Sequence, residues 1–192
     1  MAKAAYLLVT GLALTVTPFT NSEAAAQDER AALVLHVDNY AHVTAASITR
    51  AEQAVSAVFA DAGLVIEWVN DAAVSAVNED GRRHLHVLLL CAEMTHAKVT
   101  SERVPDNVMG QAAPGSTRAY IYTFRVRNFA LHNGRSFDGV LAHVMAHEVG
   151  HLLLPPGSHS KRGIMRESLD VQAYNERFTI QQGDALRLAL NR

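Results

Sequence analysis

Residues 139–154 read GVLAHVMAHEVGHLLL, apolar throughout except for three histidines and one glutamate. The run closes on Pro155-Pro156, which removes two backbone donors and bars the α conformation from the residue before the first proline. Asp138 stands where an N-cap belongs, so the stretch predicts a helix from about Gly139 to Leu154. On that helix His143, His147 and His151 are spaced by four and line one stripe. His147 and His151, one turn apart, can each point a ring nitrogen at a single cation. Glu148 lies one position on from His147, about 100° round the axis, where it reaches a water on that cation without ligating it. Leu or Ala would cost nothing to desolvate in such a stripe, whereas histidine and glutamate do. The spacing therefore predicts a metal centre. A zinc-bound water of lowered pKa beside a carboxylate, with Glu148 taking and later delivering the proton, is the chemistry of hydrolysis. Three protein ligands plus one open position are needed, and His159 is the candidate for the third.

The rest of the chain alternates strands and helices. Ala32–Val37 (ALVLHV) is short and rich in Val and Leu, as a strand should be. Ile48–Ala62 carries apolar residues near the 3.6-residue period, with Ser47 as N-cap and Gly63 as terminator. Leu64–Val69 (LVIEWV) reads as a second strand, with Trp68 in a packing role, and Asp80-Gly81 turns the chain into a third, Leu85–Cys91. A loop holding Pro105, an extended piece around Val108–Ala112 and a loop with Pro114 and Gly115 follow. Ala119–Val126 (AYIYTFRV) is aromatic and β-branched enough to be a further strand. Thr179-Ile-Gln-Gln182 matches a capping box for a last helix running to Leu190.

Composition sets the outer limits. The chain has 192 residues, 49% hydrophobic and 19% charged, which suits one packed domain. Seventeen Lys and Arg against 19 Asp and Glu leave a formal charge of −2, with no footprint for nucleic acid or for a polybasic membrane surface. Residues 1–26 have the form of a cleaved signal peptide: Lys3, an apolar run from Ala4 to Thr17, then Ala24-Ala25-Ala26 before Gln27. The run is too short to span a bilayer, which needs about 20 apolar residues. The expected mature domain is 27–192, secreted or periplasmic, with no membrane anchor. Cys91, the single cysteine, cannot close an internal disulfide and reads as a small buried residue.

HEVGHLLLPPGSHS followed by RGIM resembles the zinc-binding segment and Met-turn of the metzincin metallopeptidases, in particular small exported bacterial metzincin-like proteins. The order of elements over residues 32–190 is similar as well, although only 147–165 carries specific motifs. The resemblance implies an α+β, zincin-like fold: a twisted mixed sheet of about five strands with a backing helix, an active-site helix and a C-terminal helix. It implies one Zn2+ on His147, His151 and His159, with Glu148 as general base and Met165 packed beneath the metal. The Val108–Ala112 stretch would be the edge strand that accepts an extended peptide or protein substrate. The chain departs from the HExxHxxGxxH pattern by two residues. Leu154 and Gly157 stand at the usual glycine and histidine positions, and the histidine comes at 159. Gly157 can still make the sharp return. Asp170, 19 positions after His151, is the rival third ligand, near where zincins of the glutamate-ligand type place their carboxylate.

Other residues carry weaker signals. His143 reads as a satisfied polar core residue or a neighbour of the metal's ligands. His84 and His86 share one strand face, but two ligands without a third make a weak case for a second metal site. Tyr174 follows the Met-turn and could serve as an oxyanion donor, though packing explains it as well. Arg82-Arg83 reads as a solvated turn. The expected activity is that of a zinc-dependent endopeptidase. The alternatives are a zinc-holding module without turnover and a hydrolase of some non-peptide amide.

Overall fold

The computed structural model describes residues 32–70, 82–113, 115–169 and 176–190. The expected signal peptide, the Asp80-Gly81 turn, Pro114, Asp170 and Tyr174 lie outside the described residues. The fold is α+β: the described residues form a five-stranded mixed sheet and five helices, the last of them towards the C-terminus. Strand β1 (Ala32–Asn39) lies between β2 (Val65–Val69) and β3 (Arg83–Leu90), followed by β5 (Arg118–Tyr122) and, at the edge, β4 (Gly110–Ala112). The first four pair in parallel and β4 pairs antiparallel with β5.

Alternation along the strands makes two unlike faces. Leu33, Leu35 and Val37 of β1 and Leu85, Val87 and Leu89 of β3 are all buried in one hydrophobic cluster. The helices α1 (Ala45–Asp61) and α4 (Phe137–Leu153) contribute Val55, Phe59, Leu141 and Met145 to the same cluster. Helix α4 buries 11 of its 17 residues, so it is apolar nearly all round and runs through the core rather than over it. Trp68 packs against this cluster and donates its indole N–H to Ser56 Oγ of α1 at 2.9 Å, the expected packing role with its polar end satisfied.

Several local expectations need correction. Thr44, not Ser47, caps α1, its hydroxyl accepting from Ser47 N, so the helix begins three residues early. Ser136, not Asp138, caps α4, accepting from Gly139 N. Asp138 turns outward instead and accepts from Arg50 Nε at 2.6 Å. The expected strand 119–126 stops at Tyr122, and Thr123–His132 forms helix α3. Within it Thr123, Val126 and Ala130 are buried at spacings of three and four, so helical burial overrides the β-favouring residue types. Residues 92–102, expected as loop, form helix α2 (Ala92–Glu102). Thr95 is its single buried residue, which left no periodic signal to read. Cys91 does not close β3 but is the half-buried N-cap of α2. Arg83 is the first residue of β3 and Arg82 pairs with Glu67, so these two arginines are not a free turn. The capping box is present: Thr179 N donates to Gln182 Oε1 and Gln182 N to Thr179 Oγ1, opening α5 (Ile180–Leu190). Among the described residues no helix is long and apolar enough to cross a membrane.

Candidate metal centre

Helix α4 carries His147, Glu148 and His151 to the floor of a cleft of about 850 Å3. Leu154 ends the helical run, and Pro155-Pro156-Gly157 turns the chain back, Gly157 adopting φ 76°. The two-residue displacement therefore does not prevent the return, and His159 comes over the end of the helix. The Nε2 atoms of the three histidines meet: His151 Nε2 lies 3.0 Å from His147 Nε2 and 3.0 Å from His159 Nε2. Among the described residues these three form a group able to hold a metal ion. Asp170, the rival ligand, lies outside the described residues.

The rings are aimed by what holds their other nitrogens. His147 Nδ1 donates to Ile164 O at 2.8 Å, which fixes the tautomer and leaves the Nε2 lone pair facing the triad. His151 Nδ1 faces Ser158 Oγ at 3.5 Å. Burial and the neighbouring imidazoles push His151 down to about 4. His147 is lowered too, by burial above all, against the Ile164 hydrogen bond that raises it. Both shifts favour the neutral ring of His147 and His151, the state in which nitrogen can ligate a cation.

Two close approaches explain residues whose importance spacing did not reveal. Met165 is fully buried under α4, and a Cβ on Gly150 would meet its Sδ at 2.5 Å and Phe178 Cε1 at 3.2 Å. Glycine inside the HEVGH segment lets the Met165 turn lie directly beneath the histidines. On the opposite side of the cleft, a Cβ on Gly110 of β4 would meet Glu148 Cγ at 2.7 Å and Val144 Cγ1 at 2.9 Å. The edge strand lies against the glutamate because it has no side chain there. Glu148 is 7% exposed; burial pushes its carboxyl up to about 8, against a hydrogen bond from the Ala112 backbone that lowers it.

The cleft walls are tied down by polar side chains. Tyr122 Oη donates to Gln111 Oε1 at 2.5 Å, and Gln111 Nε2 donates to Glu102 Oε2 at 2.7 Å, clamping β4 between β5 and α2. Arg125 of α3 donates to Pro105 O and Val108 O at 2.6 and 2.8 Å, holding the loop that leads into β4. Gln182, read from sequence only as half of a capping box, also donates its Nε2 to Ser158 O at 2.9 Å. It thereby anchors the loop that carries His159, a tertiary role with no local sequence signal. His143 lines the cleft as well, with its Nε2 3.8 Å from Glu176 Oε2, and burial lowers it to about 4. His84 and His86 share a face as expected, but on the far side of the sheet, where His36 of β1 joins them.

The cleft thus joins three imidazoles able to hold a metal ion, the buried side chain of Glu148 and, among the described residues, the edge strand of the sheet. No protein-family model matches this sequence, and no curated protein matches it significantly.

Proposed function

We propose that this chain is an exported zinc-dependent endopeptidase of metzincin type, with His147, His151 and His159 holding one Zn2+ and Glu148 acting as general base. The observation that carries this reading is the meeting of three Nε2 atoms at 3.0 Å steps beside the buried carboxylate of Glu148. The donor set fits zinc: three imidazole nitrogens within reach of one another, one ring fixed by a carbonyl, all three residues lining the cleft. A cation there would supply Lewis acidity toward a scissile carbonyl and acidify water in the cleft.

The chain's own residues do the remainder. The edge of β4, from Gly110 to Ala112, offers backbone groups to an extended substrate and lays it across the histidines. Burial raises the Glu148 carboxyl to about 8 in the metal-free chain, and a cation on the histidines would hold it ionised, so that it can accept a proton from the attacking water and return it to the leaving nitrogen. The Ala112 N–H keeps that carboxylate pointed into the cleft.

The test is cleavage of a broad peptide mixture, read by mass spectrometry, for the wild type with and without chelator and for Glu148→Gln. Cleavage by the untreated wild type alone is expected, with one zinc per chain in both proteins. If both proteins held zinc and were equally inert, the chain would be a metal-holding module and the peptidase reading would fail.

A further inference from the structure

The face of the sheet turned away from the cleft carries a second histidine cluster. The parallel register of β1 and β3 sets His36 opposite His86 and Val34 opposite His84, so His36 stands between two imidazoles of the neighbouring strand. Its ring centroid lies 5.2 Å from that of His84 and 4.7 Å from that of His86, both stacked. His36 Nε2 and His84 Nδ1 face each other at 2.9 Å. His86 Nδ1 faces Asp38 Oδ2 at 3.3 Å, the carboxylate–imidazole pairing that often orients a ligating ring.

From this geometry we propose a second transition-metal site, distinct from the triad, in which His36 Nε2 and His84 Nδ1 ligate a divalent ion of the Cu2+, Ni2+ or Zn2+ class across strands β1 and β3. The spacing of the two nitrogens matches the 3.0 Å spacing within the triad. Two imidazoles from adjacent strands suit borderline-soft cations, and the Irving–Williams order places Cu2+ highest among them. His36 is 7% exposed, and its Nε2 faces His84 Nδ1 on the neighbouring strand. The site is less complete than the triad. Among the described residues the triad alone brings three donors within mutual reach. Asp38, bound to His86, supplies a compensating negative charge on the same face. An ion here would bridge the two strands at the centre of the sheet, and nothing in the assignment requires the chain to be a peptidase.

The experiment is Cu2+ binding, measured as copper per chain by equilibrium dialysis and as nitrogen hyperfine structure by electron paramagnetic resonance. Two ions are expected in the wild type, one in His84→Gln, and one in His147→Ala/His151→Ala with the signature of two imidazole nitrogens. If His84→Gln binds as much copper as the wild type, or the double variant shows no two-nitrogen signal, the second site is overturned. If the double variant binds as much as the wild type, the triad reading fails while this one stands. Should His84→Gln not fold, the wild type loaded first with a single zinc per chain decides. Copper taken up with zinc retained and two nitrogens in its spectrum supports the site; copper taken up only as zinc leaves refutes it.

Discussion

The two histidine clusters reach similar nitrogen spacings by different routes. In the cleft, a helix does most of the work: four residues is one turn, so His147 and His151 are brought together by local geometry alone, and only His159 must be delivered by tertiary structure. On the sheet, His84 and His86 are two residues apart and share a face, but the nitrogen that His84 meets belongs to His36, 48 positions earlier. Helical neighbours are written in a single stretch of sequence. Strand neighbours depend on register, which no single stretch records. The surroundings differ as well. The cleft cluster has a buried glutamate and an open strand edge beside it, whereas the sheet cluster has a carboxylate that already faces His86.

The largest test of that contrast is chemical. Glu148→Gln should lower peptide cleavage by about 10²–10⁴-fold, the usual worth of a general base, with zinc content unchanged. His84→Gln, on the other face, should leave cleavage within about twofold of wild type. Comparable losses from both would break the separation of the two clusters. Next comes Gly110→Ala. Its new methyl group must push Glu148 or Val144 aside, and cleavage should fall by about 10²-fold, as for a catalytic group misplaced by an ångström, with zinc again retained. Loss of zinc from that variant would show that β4 supports the metal rather than the base.

Smaller effects concern support. Gly150→Ala drives a methyl group against Met165 and should destabilise the fold by about 1–3 kcal/mol in denaturant titrations, the range for an overpacked core. Gln182→Ala frees the Ser158 carbonyl and should weaken zinc binding by about tenfold in chelator competition. Unchanged affinity would mean that the His159 loop is held by other contacts.

The last effect is one of pH on the metal-free chain. His143 and His151 sit near 4 in the fold but near 6.5 when unfolded, so the unfolded state takes up protons first and stability falls as pH drops below 6.5. Glu148 sits near 8 against 4.5 unfolded, so the folded state holds the extra proton and stability falls as pH rises toward 8. Urea midpoints should therefore peak near pH 6.5, where the two histidines cease to dominate and the glutamate takes over. A curve flat from pH 5 to 8 would contradict the burial of these groups.

How much was legible follows from how far each contact reaches along the chain. The helix with His147, Glu148 and His151, its abrupt end at Pro155, the capping box at Thr179 and the core strands were all readable, because periodicity, proline and capping chemistry act within a few residues. Helix α2 was not, since it buries Thr95 and little else and so lacks an amphipathic pattern. Helix α3 was misread because its first residues favour strands, while the buried positions of Val126 and Ala130 emerge only against the rest of the core. Gly110, Gly150 and His36 gave no local sign of their roles, and Gln182 showed only its capping half. Each matters through contacts with residues at least 15 positions away.

The bond from Gln182 to Ser158 also bears on the order of assembly. A chain emerging from its N-terminal end presents His147 and His151 well before Gln182, which follows Ser158 by 24 positions. Until helix α5 is in place, the segment bearing the third imidazole lacks this tether, and a cation held early would rest on the two helical nitrogens. Seating of α5 would then fix the third donor, so completion of the triad waits on a residue 24 positions beyond the segment that it secures.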